Sequence, residues 1–159
     1  MSPRPRFIAD GMLGSLARWL RIMGYDTVYE RDRADGEMLR RAQEEGRTLL
    51  TRDQELAARG APGSVHVRSE DLDEQLGQLV AEMGLSAEGE MTRCTTCNGP
   101  LEVVGKESLE GVVPKGALDS HDEFYRCASC GKAYWKGSHW TNIRKRLDEL
   151  EARAGRSPR

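Results

Sequence analysis

The chain is expected to fold as an α/β protein, with a doubly wound parallel sheet followed by a second, small metal-stapled module. Two observations predict this. Up to Gly84, short apolar runs alternate four times with segments of helical period. All four cysteines then lie in the second half, in two C-x-x-C pairs, Cys94 with Cys97 and Cys127 with Cys130.

The first strand is the run 6–9, closed by Asp10-Gly11. Leu13, Leu16, Leu20 and Met23 follow at helical spacing, with Arg18 and Arg21 on other faces, and Gly24 ends that helix. Residues 27–30 read as the second strand. Asp35 opens a helix carrying Met38, Leu39 and Ala42, stopped by Gly46. Residues 48–51 are a third strand, with Asp53 and a short helix to Arg59 after it. Residues 64–68 are a fourth. A last helix sets Leu72, Leu76, Leu79, Val80 and Met83 on one side, with Gly84 after it. Right-handed crossovers restrict the topology, and the simplest doubly wound order is 2-1-3-4. This unit is expected over 1–85, with 86–91 as linker.

The second module is expected over 92–140. Its cysteine pairs are 29 residues apart (98 through 126), and each sits in a knuckle-like turn followed by a glycine, Gly99 or Gly131. Two such turns offer four thiolates to a tetrahedral Zn²⁺. A four-cysteine site has no open position for water, so this zinc is structural and the chemistry must lie elsewhere. Residues 110–116 read as loop. A final helix from about Thr141, with Ile143, Leu147 and Leu150, opens a basic segment, 141–159.

In an open α/β sheet, ligands bind outside the carboxyl ends of the strands where the strand order reverses. Here that point lies between strands one and three. Asp10 ends strand one, Asp53 lies just past strand three, and adjacent strands are about 4.8 Å apart. Asp35 enters from the same edge. Three carboxylates with no histidine or cysteine are a hard oxygen site, of the kind Mg²⁺ or Mn²⁺ prefers. Each acid also has a plain structural role open to it: Asp35 and Asp53 as helix N-caps, Asp10 as a turn former.

Composition bounds the rest. Of 159 residues, 31% are charged and 38% apolar, which suits a soluble protein with a modest core. No apolar run is long enough to span a membrane, and the apolar run at the N-terminus is too short for a signal peptide, so a cytoplasmic protein is expected. From 136 onward, Lys136, Arg144, Lys145, Arg146, Arg153, Arg156 and Arg159 face only Asp148, Glu149 and Glu151. The segment Tyr134-Trp135-Lys136-Gly137-Ser138-His139-Trp140 interleaves aromatics with cations, a pattern that can stack unpaired bases and hold phosphates. It also suits the small core of the module.

Two stretches carry a family resemblance. One is Phe7-Ile-Ala-Asp10-Gly-Met-Leu-Gly14-x-Leu-Ala-Arg18-Trp-Leu-Arg21-x-x-Gly24-Tyr-Asp26, with Leu49-Leu-Thr-Arg-Asp53. The other is Arg93-Cys-x-x-Cys-Asn98-Gly-x-Leu101 with Phe124-Tyr-x-Cys127-x-x-Cys-Gly131-Lys-x-Tyr134-Trp-x-Gly137-Ser-His139. Together they resemble the Mut-seven C-terminal RNase family, a PIN-like nuclease group, over about 6–147.

The resemblance implies a PIN-like domain fused to a zinc ribbon, and a ribonuclease that uses Mg²⁺ or Mn²⁺ at Asp10, Asp35 and Asp53. Glu37 stands as an alternative to Asp35, and one metal or two are open. Arg18, Arg21 and Arg52 are candidates to neutralise phosphate. Trp135, Lys136, His139, Arg144, Lys145 and Arg146 are candidates to bind RNA, with the ribosome or tRNA as candidate partners. The alternative reading is a non-catalytic RNA- or ribosome-binding protein that keeps the fold. Such a protein has no need of three acids at one edge.

Overall fold

The computed structural model of the protein describes residues 4–86 and 91–155. Most of the expected linker and the last four tail residues lie outside the described residues, as does the side chain of His139. The first half runs β1 (Phe7–Ala9), α1 (Gly14–Ile22), β2 (Thr27–Tyr29), α2 (Asp35–Glu45), β3 (Thr48–Thr51), α3 (Gln54–Gly60), β4 (Ser64–His66) and α4 (Leu72–Met83). The four strands are parallel in the order β2-β1-β3-β4. The expected topology and the reversal point between β1 and β3 are therefore present.

Alternation along the strands sorts the two faces. Phe7, Ala9 and Leu50 join a large core with Leu16 and Leu20 of α1 and Leu76 and Leu79 of α4. Ile8 and Leu49 point the other way, onto Met38 and Ala42 of α2 and Leu56 of α3. Period two in the strands and period 3.6 in the helices thus build three layers. The turn after β1 is a short 3-10 helix at Gly11–Leu13. A Cβ on Gly11 would stand 2.5 Å from the carbonyl oxygen of Arg31, so the chain closes there only with glycine.

The second half contains β5 (Leu101–Val104), α5 (Lys115–Ser120), β6 (Phe124–Cys127), β7 (Ala133–Trp135) and α6 (Ser138–Gly155). The three strands form an antiparallel sheet, β5-β6-β7. Its small core is Leu109, Val113 and Phe124, with Trp135 packed against it. Part of the span read as loop is the helix α5, too short for periodicity to reveal. The last helix starts at Ser138, three residues before the expected Thr141. Its apolar side, Trp140, Leu147 and Leu150, enters the same core as β1, α1 and α4.

Candidate functional site

Four sulfurs converge at the tips of the second module. The Sγ atoms of Cys94, Cys97, Cys127 and Cys130 all lie within 4.8 Å of one another, with Cys94 to Cys130 at 3.7 Å and Cys97 to Cys127 at 3.4 Å. Zinc–thiolate bonds of about 2.3 Å give a tetrahedron with edges of about 3.8 Å. The donor set and spacing are compatible with a structural zinc ion.

The surroundings favour thiolate. The amides of Ser129 and Cys130 donate to Cys127 Sγ, and that of Gly99 to Cys97 Sγ. The Tyr134 hydroxyl lies 3.0 Å from Cys94 Sγ. Burial pushes the Cys94 thiol up, but hydrogen bonds from Tyr134 and from backbone amides outweigh it and bring it down to about 6. The Gly99 amide lowers the Cys97 pKa, yet desolvation and the neighbouring sulfurs push it up to about 12. A divalent cation at the centre would remove that conflict by stabilising all four thiolates. A Cβ on Gly99 would sit 3.0 Å from Cys127 Sγ, so the close approach of the two knuckles needs glycine there.

The first knuckle is latched to the parallel sheet. Asn98 accepts from the amide of Thr27 at 2.9 Å and donates to Asp26 at 2.7 Å. Arg21 is buried and donates to the carbonyl oxygens of Thr27 at 3.0 Å, Thr95 at 3.1 Å and Thr96 at 3.3 Å. Desolvation lowers its pKa, against the pull of Cys94, Cys97 and Asp26. Arg21 was expected at a phosphate. Its three carbonyl contacts commit it to joining the halves, because α1 turns this face toward the first cysteine knuckle.

At the carboxyl edge of the parallel sheet, Thr51 joins two of the expected acids. Its buried hydroxyl donates to Asp10 Oδ2 at 2.8 Å and accepts from the Asp53 amide at 3.0 Å. The other oxygen of Asp10 takes the Gly11 amide at 2.6 Å. Asp53 caps α3, with Oδ1 accepting from Leu56 N at 3.1 Å. Asp35 is the exposed first residue of α2, and Ala34 is the cap. Glu37 is held by Arg33 at 3.0 Å. Among the described residues, the cysteines alone bring three or more ligand-type side chains within 4.8 Å; the three acids do not draw that close. Thr51 escaped the sequence reading as a site residue. Its signal was the T-x-D pattern at a strand end.

The remaining cations divide. Arg18 is exposed on α1. Arg52 donates to the Arg68 carbonyl at 3.2 Å, and its Nε is buried with no partner. Trp135 packs against Phe124 with ring centroids 6.4 Å apart. Lys136 stands 5.9 Å over the Trp140 ring. Arg144 pairs with Asp148 along its own helix, Lys145 is exposed, and Arg146 pairs with Asp73 at 2.8 Å and stacks over Trp19.

A parallel α/β unit latched to a four-cysteine module defines a two-part protein, with the cysteine module beside a parallel sheet that has an acidic edge. The family model of the Mut7-C RNAse domain matches residues 5–147, nearly the whole chain, and the chain belongs to that family. No curated protein and no solved structure matches it. The family points to a ribonuclease-type function with RNA as substrate.

Proposed function

We propose that the protein is a metal-dependent ribonuclease, a PIN-like domain that hydrolyses RNA phosphodiester bonds at the acidic edge, with a zinc ribbon that aids RNA binding. The observation that carries this reading is the Asp10–Thr51–Asp53 chain at the point where the sheet order reverses. The donors fit a hard divalent ion: carboxylate oxygens, with no sulfur or imidazole among them. Asp10 and Asp53 would hold Mg²⁺ or Mn²⁺. Asp35 is preferred over Glu37 as the third ligand, because Arg33 already pairs with Glu37. Bound there, the ion lowers the pKa of a water and offsets phosphate charge. Arg18 and Arg52 are the candidates to contact phosphates, with Lys136 and Lys145 extending the positive surface. Thiolate–zinc chemistry suits the reducing cytoplasm.

A second reading, a non-catalytic RNA or ribosome binder, draws support from the acids' failure to converge. Labelled RNA incubated with and without Mn²⁺ separates the two. Asp10→Asn and Asp53→Asn should each abolish Mn²⁺-dependent cleavage and leave the fold intact, since the change removes charge and keeps shape. Unaltered cleavage by the double variant, in protein cleared of contaminating nuclease, removes this active site. Absence of any cleavage by wild type leaves the binder.

A further inference from the structure

We infer that the cleft between α1, the zinc module and α6 binds one unpaired nucleotide of an RNA strand. This deepens the ribonuclease reading, from which it takes the choice of RNA. The cleft encloses about 220 Å³. That is below the roughly 300–1,000 Å³ typical of drug-sized ligands, and it favours a single planar group.

Its walls carry two kinds of recognition. Tyr134, Trp135 and Trp140 supply aromatic surface from β7 and α6, while Arg18, Arg93 and Lys132 supply positive charge; among the described residues no acid lines the cleft. Lys132 stands 5.3 Å over the Tyr134 ring. Arg18 is exposed and makes no hydrogen bond or ion pair among the described residues. Arg93 donates to the Asn98 carbonyl at 3.0 Å and lies 3.7 Å from Asp26, which fixes it at the joint between the halves. Aromatic faces beside cations suit a flat base that carries a phosphate. An acidic peptide would use the cations and leave the rings idle.

Position fits the same strand reaching both sites. α1 begins four residues after Asp10 and runs from the acidic edge toward the module. At about 1.5 Å per residue, Arg18 and Ile22 lie about 6 and 12 Å along the helix from Gly14. A base in the cleft would anchor the strand a short distance from the acids.

The test uses full-length, zinc-loaded protein and a labelled single-stranded RNA of about ten nucleotides, with a duplex of equal length as control. Binding is read by anisotropy without added Mg²⁺ or Mn²⁺. Arg18→Ala/Lys132→Ala removes charge at exposed positions, and Ile143→Trp fills the cleft without touching a charge. Each should weaken single-strand binding about tenfold, the loss expected for one stacked base, with zinc content and melting temperature retained. A 4-thiouridine RNA should crosslink wild type within 132–143, which decides the matter even if Ile143→Trp disturbs packing. Affinities within twofold of wild type in both variants, crosslinks confined elsewhere, or equal binding of duplex overturn the cleft. Cleavage that persists alongside unaltered affinity removes the cleft and keeps the ribonuclease. Single strands that bind in the cleft and stay uncut with Mn²⁺ remove the ribonuclease and keep the cleft.

Discussion

Thr51 is fully buried, yet its hydroxyl serves two groups at the acidic edge, the Asp10 carboxylate and the Asp53 amide. A buried hydroxyl is kept only where both its donor and its acceptor capacity are used. Thr51→Val keeps the shape and strands both partners. It should cost about 1–3 kcal/mol in urea denaturation. It should also reduce RNA cleavage, since Asp10 loses the contact that orients it. Thr51→Ser should restore most of both. Equal stability and cleavage in the valine variant would show that the acids are oriented without the hydroxyl.

Asp26 is the hinge of the element-level contacts. It sits at the entry to β2 and takes Arg47 at 2.8 Å and Asn98 at 2.7 Å. Burial raises its pKa, but the hydrogen bonds from Arg47 and Asn98 prevail and hold it below the ordinary carboxylate value. A depressed folded value means that the stabilisation is fully present above the unfolded pKa, near 3.8. It is lost as pH falls below that toward the folded value. Asp26→Asn should therefore lower stability at neutral pH and flatten the acid limb of a stability–pH curve; an unchanged acid limb assigns the acid sensitivity to other carboxylates.

The last helix gives a second expectation at this scale. Arg146 reaches across to Asp73 and lies over Trp19. Arg146→Ala should cost about 1 kcal/mol, because a half-exposed ion pair and a cation–π contact each contribute modestly. Its effect on the salt slope of RNA binding should be small, while Lys145→Ala should lower that slope by about 0.7. The reverse pattern would assign phosphate contact to Arg146.

At the scale of the molecule, one chain builds a core on each face of the parallel sheet and a small third one in the second module. Among the described residues, the small core of the second module buries Leu109, Val113 and Phe124, together with the knuckle cysteines Cys94 and Cys127. So few apolar groups are expected to leave about fifty residues short of stability unless a metal is bound at the cysteines. Cys94→Ser or Cys127→Ser should release zinc and unfold this module. Hydrogen exchange should then rise across β5, β6 and β7 and at the Thr27 amide, which loses Asn98. Amides of β1 and β3 should stay protected, since their cores lie on α1, α2, α3 and α4. Loss of protection throughout would mean that the four-cysteine module and the sheet fold as one cooperative unit.

Much of this was legible in the residues. Period-two and period-3.6 patterns place Phe7, Leu16, Leu50, Leu76 and Leu79 in one core, because burial of alternate faces leaves little choice. The order 2-1-3-4 follows from short right-handed crossovers, and the two C-x-x-C turns specify their own pairing in space. The strands β5, β6 and β7 and the helix α5 were not legible, since three to six residues outside a repeating strand–helix pattern carry too little periodicity. Nor were the roles of Arg21, Asn98 and Arg146, because a polar residue's partner depends on which distant surface is brought to it. By itself the sequence determined the layers, the acidic edge and the four-sulfur module, all consequences of local pattern and spacing. Tertiary structure alone decided that Arg21 joins the halves instead of facing solvent, that Thr51 links two acids, and that α6 closes a cationic, aromatic cleft. These depend on contacts between residues far apart in the chain, whose geometry is set only when the packed elements fix each surface against its neighbour.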